Sequence, residues 1–311
     1  MEKIKELLYE HCNINPNDKV AIILQTGENQ RFKDSEEVCN QILKTCKENN
    51  INAETYKYTQ EIPRNGVEPP EDFKVQGDVI IAPTAYSITH TTFIKTLKAK
   101  RIASMPGFKP YMFETIGNKE ELLKITLQHY DNLKQAKTVH ITGKNTDIVV
   151  EPNPNLILRS TGFFDSKNIE NIPGAEVFCV PKNANGYFTV PKGFGGQEPL
   201  TNPIKFIIKD GIFADFEGNP ETIEKQIIPF FKGKNFNIMA ELGIGTNPKI
   251  TKEYIQKTGW STLLAEKIFG SAHFANGNSK GMGGTNDVPI HIDWVVPDVK
   301  IQYFNTQEKS L

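Results

Sequence analysis

Near the C-terminal end of the chain, PIHIDWVV (289–296) alternates Ile290, Ile292 and Trp294 with His291 and Asp293. Side chains on a strand change faces at every residue, so this segment points an imidazole and a carboxylate to one side and the large apolar groups to the other. Those two groups, turned to one place, are donors that a divalent metal takes. The competing reading is a solvent-facing His and Asp at a sheet edge. His273, in LLAEKIFGSAHFANG, begins the extended piece beyond a helix that carries Glu266 and that Gly270 ends. Glu241 follows the apolar run NIMA in FNIMAELGIGTNP, and Glu176 in NIPGAEVFCVP is flanked by Val177, Phe178 and Val180. A carboxylate in such apolar surroundings is costly unless a cation, a donor network or water compensates it.

Glu176, Glu241, His273, His291 and Asp293 together supply three carboxylates and two imidazoles, with no thiolate. Such oxygen and nitrogen donors suit Zn, Co, Mn or Mg and outnumber what one tetrahedral zinc needs. Five ligands, one of them bridging, would hold two ions about 3.5–4 Å apart with an ionised water between them. The chain has no HExxH. Of the other histidines, His11 and His129 fall in helical patterns at the surface or its boundary, and His140 reads as a hydrogen-bonded core imidazole. His90, in SITHTT near a helix start, is a candidate substrate contact.

The elements that must position these groups change style along the chain. KVAIIL, INAETYKY, GDVIIAP and RIASMPG read as strands. Between them lie SEEVCNQILKTCKENN, a helix that Ser35 would cap, and SITHTTFIKTLKAK. Strand–helix alternation of this kind implies right-handed crossovers and a parallel sheet. NKEELLKITLQHYDNLKQA closes that half as a helix. From KTVHITG onward come short strands and Gly, Asn and Pro turns, including the hairpin IKFIIKDGIFADF, whose Asp210-Gly211 suits a type I′ turn. NPETIEKQIIPFFKG and TGWSTLLAEKIFG are the helices expected there. The fold class is therefore α/β: a parallel-sheet N-terminal domain (1–135), then a mixed α+β metal-binding C-terminal domain (136–311).

Composition narrows the function classes. The 311 residues carry 36 basic and 37 acidic side chains, so no basic excess marks a nucleic-acid binder, and the lysines read as solvated surface. No apolar run approaches the roughly 20 residues that span a bilayer. The amphipathic start MEKIKELLYEHC is not a signal peptide, and Cys12, Cys39, Cys46 and Cys179 form no CxxC pair, so a cytoplasmic protein with reduced thiols is expected. No GxGxxG or Walker loop supports a nucleotide site.

In order along the chain, NIPGAEVFCVP, AELGIGTNP, AEKIFGSAHFANG and IHIDWVV resemble the aminopeptidase T family of metallo-aminopeptidases, the leucyl-aminopeptidase-like enzymes of thermophilic type; APTAYSITHTTFIKTLKAKRIASMPG is a weaker echo. The resemblance implies a homodimer that hydrolyses N-terminal amino acids from short peptides with two divalent ions (Zn, Co, Mn or Mg). It makes Glu176, Glu241, His273, His291 and Asp293 the metal ligands and Glu266 a general acid/base or supporting group. Ring-cleaving dioxygenases acting on dihydroxypyridine share that architecture and hold one Fe(II) with two His and one carboxylate, which His273, His291 and Asp293 would satisfy. A metal-binding protein without turnover is the third reading.

Overall fold

The computed structural model describes residues 2–89, 91–164 and 168–305. The chain divides into two compact units. One runs up to Glu120 and includes Ser160–Gly174; the other comprises Glu121–Arg159 and the residues from Ala175 onward. A single cut after residue 135 is thus replaced by an interleaved division. The helix Lys119–Gln135 falls almost wholly in the second unit, and a later excursion rejoins the first.

In chain order the strands are β1 (Val20–Thr26), β2 (Ala53–Thr59), β3 (Val79–Ala82), β4 (Arg101–Ser104), β5 (Thr138–Gly143), β6 (Thr146–Ser160), β7 (Ile169–Asn171), β8 (Glu176–Val190), β9 (Ile204–Lys209), β10 (Ile212–Gly218), β11 (Met239–Gly245), β12 (Ser271–Gly277), β13 (His291–Val296) and β14 (Lys300–Phe304).

The first unit holds a parallel sheet in the order β2-β1-β3-β4-β7. VAIILQT and VIIA are buried along almost their whole length, as strands covered on both faces must be. The helix Gln30–Glu48 buries Phe32, Val38, Ile42 and Cys46 against it. Its cap is Asn29, whose side chain accepts from the Arg31 N–H; Ser35 lies inside the helix and donates its hydroxyl to the Pro83 carbonyl. SITHTTFIKTLKAK yields only the short helix Thr92–Thr96, consistent with the weak helix preference of its Thr-rich start. His11 is a core residue, contrary to its expected surface position. Its ring nitrogens lie 3.0 Å from the Gly117 and Gly162 carbonyls, and the ring stacks on Phe163 at 4.3 Å. Leu7 and Leu8 enter the core just before it and carry it inward.

The second unit is built on a nine-stranded antiparallel sheet, β13-β12-β11-β8-β6-β5-β14, with β9 joining β8 and β10. The β9–β10 hairpin turns on Asp210 (φ 52°) and Gly211 (φ 73°), as type I′ requires. NPETIEKQIIPFFKG breaks into Pro220–Thr222, a π-turn Ile223–Ile227 and a 3-10 turn Ile228–Phe230; Pro229 has no N–H for a regular helix. TLLA alone is helical in the next segment, so Glu266 caps that helix end instead of riding on it.

The unit's aromatic core lies behind β12 and β13. Phe274 and Trp294 are cross-strand partners, Phe274 stacks on Phe188 at 4.3 Å, and Trp294 meets Phe206 at 4.9 Å. Alternation then turns His273 and Asp293 to the other face. Among the described residues, no helix is long and apolar enough to cross a membrane.

Candidate metal centre

Register explains how five residues far apart in sequence meet. β11 places Gly243 beside His273 and Glu241 beside Ala275; β13 places Asp293 beside Ala275 and His291 beside Gly277; β8 places Glu176 beside Gly245. Cross-strand partners share a face. Glu176, Glu241, His273, His291 and Asp293 therefore rise from one face of four adjacent strands, and the residues between them are small. A Cβ on Gly243 would lie 1.8 Å from His273 Nε2, and one on Gly245 would lie 2.2 Å from the Ile268 carbonyl oxygen. The glycines of ELGIG, on the same face as Glu241, are the hollows in which the imidazole and the 266–268 backbone sit.

The side chains form one continuous run. His273 Nε2 lies 3.0 Å from Glu241 Oε1 and 4.0 Å from Glu176 Oε2. His291 Nε2 lies 3.3 Å from Glu241 Oε2 and 3.2 Å from Asp293 Oδ1. Glu241, His291 and Asp293 each offer a ligand atom within 4.8 Å of the other two. All five expected ligands are thus in one cluster. Glu266 sits at its margin and bonds Lys267 at 2.7 Å. His90 lies outside the described residues.

Electrostatics reflects this crowding. Burial alone would raise the Asp293 carboxyl, but His291, His273 and Lys267 hold it at about 2. Burial likewise opposes ionisation of Glu241, and hydrogen bonds from His273 and His291 outweigh it and lower its pKa. Desolvation disfavours the charged imidazoles, yet Glu241 and Asp293 raise His273 to about 9 and His291 well above its ordinary value. Burial lifts Glu266 to about 7 against the pull of Lys267.

These residues fit a metal. His291 Nδ1 lies 2.7 Å from the Asn278 carbonyl, a contact that fixes the proton on Nδ1 and turns Nε2 toward two carboxylates. A lone pair aimed at two anions requires a cation between them, either a proton or a metal ion, and a backbone-anchored Nδ1–H is the usual companion of a metal-binding imidazole. His273 is 1% exposed, and its Nδ1 has no hydrogen-bond partner among the described residues, so this ring is held by Nε2 alone.

Lys267 is the residue at this cluster that sequence reasoning missed. It is completely buried, 3.0 Å from Glu176 Oε1 and 2.7 Å from Glu266 Oε2. Reading the lysines as solvated surface was wrong here, because AEKIFG leaves the helix at Ala265 and its backbone then packs over Gly245. The available signal was an adjacent Glu-Lys pair inside an otherwise apolar run.

A family model described as "NicX: 2,5-dihydroxypyridine 5,6-dioxygenase" matches residues 2–303. No curated protein matches the chain. Among solved structures, 2,5-dihydroxypyridine dioxygenase from Pseudomonas putida KT2440 aligns with a TM-score of 0.73 at 14% identity, covering 97% of this chain and 92% of that one. Wild-type AmpT from Thermus thermophilus aligns with a TM-score of 0.59 at 14% identity, covering 97% and 94%. Both likenesses establish the fold. The family match overturns the aminopeptidase T assignment and, with it, the hydrolase, the peptide substrate and the protease chemistry; the fold is common to both kinds of protein. Matched from residue 2 to residue 303, the chain belongs to the NicX family, 2,5-dihydroxypyridine 5,6-dioxygenase.

Proposed function

We propose that this chain is a mononuclear ferrous dioxygenase that opens the ring of 2,5-dihydroxypyridine or a closely related hydroxylated pyridine. The observation that carries this reading is the pair of imidazole Nε2 atoms that meet at Glu241, with that of His291 also facing Asp293 and its ring locked by the Asn278 carbonyl. Two imidazoles and a carboxylate are the donor set of non-haem Fe(II) oxygenases. His273, His291 and Asp293 would hold the ion; Glu241, whose carboxylate faces the same two Nε2 atoms, would stand beside it as a further oxygen donor, and the Asn278 carbonyl would orient His291 through Nδ1. Ferrous iron, when bound, supplies the one-electron chemistry through which dioxygen reacts with an aromatic ring.

The chain's own groups supply the rest. Glu266, with its pKa near 7, is suited to exchange a proton with a ring hydroxyl at neutral pH. Phe178, half-buried and paired with Gly243 on the same face as His273, offers an apolar plane for an aromatic ring. A reducing, cytoplasmic setting agrees with four buried free thiols.

Anaerobically purified chain loaded with Fe(II) is expected to retain one iron and to consume one O₂ per 2,5-dihydroxypyridine without added reductant. His291→Ala and Asp293→Asn should each lower iron occupancy roughly 10-fold or more. Glu266→Gln should retain iron and lose most oxygen uptake, and Phe178→Ala should raise KM with iron unchanged. Iron retention without oxygen uptake on any dihydroxypyridine isomer would refute the reading.

A further inference from the structure

The buried ammonium beside the centre has consequences for how many ions the chain holds. Lys267 is tethered between Glu176 and Glu266, at 3.0 and 2.7 Å, with no exposed surface. Glu176 is also the carboxylate that faces the centre from its far side, with Oε2 4.0 Å from His273 Nε2. A second divalent ion needs that carboxylate, and paired ions lie roughly 3.5–4 Å apart. The ammonium already bonds it. Lys267 is fully buried, and the 267–268 backbone that carries it is wedged into the hollow left by Gly245, where even a Cβ would come within 2.8 Å of the Lys267 carbonyl carbon and 2.2 Å of the Ile268 oxygen. A dication placed at Glu176 would therefore face a fixed positive charge bonded to the same carboxylate. Glu176 and Glu266, both acceptor-only when ionised, would each turn to a metal if that charge were removed.

We propose that Lys267 is a built-in cation standing where a second metal would bind, and that it restricts the centre to one ion. This rests on the metal-centre reading above and adds a residue that sets the number of ions. Lys267 is a positioning and selectivity residue; it takes no part in the ring chemistry.

The experiment is metal counting on the full chain. Metal-free protein is equilibrated with excess Mn(II), desalted, and analysed for Mn per chain and by EPR. The expected results are one Mn with an isolated-ion signal for wild type and Lys267→Arg, and two Mn with a spin-coupled signal for Lys267→Met. The double variant Lys267→Met/Glu176→Gln should return to one. Should Lys267→Met not fold without metal, the same variant folded in Mn(II) gives the same ratio. One Mn in Lys267→Met, or two in wild type, overturns the proposal. A wild-type chain that takes up no ion defeats the metal-centre reading and this one together. A chain that takes one ion but consumes no oxygen with dihydroxypyridine defeats only the dioxygenase.

Discussion

His273 keeps its proton to about pH 9: burial works against the charge, and Glu241, Asp293 and Glu176 more than compensate. A basic group raised in this way contributes its stability fully below its unfolded pKa, near 6.5, and loses it as pH passes about 9. Glu266 acts in the same direction at lower pH, since burial lifts its carboxyl to about 7 and ionising it costs stability. The thermal midpoint of metal-free protein should therefore fall between pH 6 and 9.5. The gain in midpoint on adding metal should grow across the same window, because a metal takes the neutral imidazole. Scanning fluorimetry with and without chelator measures both; a midpoint that rises with pH would contradict the assignment. Gly243 tests how the ring is seated. Ala there would place a Cβ 1.8 Å from His273 Nε2, so Gly243→Ala should weaken metal binding by roughly 10–100-fold. Gly281→Ala, with nothing within 4 Å, should leave it unchanged.

The strands β12 and β13 serve two purposes through strict alternation. Phe274 and Trp294 join the aromatic core behind, and His273, His291 and Asp293 face forward. Trp294→Ala should thus cost about 3–5 kcal/mol in chemical denaturation and loosen the metal as a secondary effect. IHIDWVV was legible because period-two alternation needs no partner to read. All five clustered residues were legible as residue types, since carboxylates and imidazoles stand out in apolar runs. Their meeting depended on register: only with β8, β11, β12 and β13 side by side does each acid or imidazole find Gly243, Gly245, Ala275 or Gly277 as a small neighbour. Helices were read less well. The run TLLAEKIF has helical spacing, yet it leaves the helix after four residues to pack over Gly245, a tertiary demand that local propensity does not carry. The Lys267 ion pairs were lost with it.

The change from parallel to antiparallel architecture was visible in composition, but the path of the chain was not. Nothing local in Ser160–Gly174 signals that it leaves one unit for the other. The helix Lys119–Gln135 is tied to the second unit by Thr126 against Thr246 (2.8 Å) and His129 against Tyr303 (2.7 Å). A fragment of residues 136–311 should therefore unfold without cooperativity in urea. A fragment from residue 119, with 163–173 replaced by a two-residue linker, should keep a sharp transition. The linker can be short because Gly162 and Gly174 nearly touch: a Cβ on Gly174 would lie 2.2 Å from the Gly162 nitrogen.

That closed stem has a further consequence. Glu176 opens its strand two residues past Gly174, after Ala175 in a left-handed conformation whose carbonyl accepts from the Thr246 amide. That hydrogen bond pins the chain one residue before the acid. Changing the chain length between Gly174 and Glu176 should therefore displace the carboxylate, because that bond fixes the register in which its strand begins.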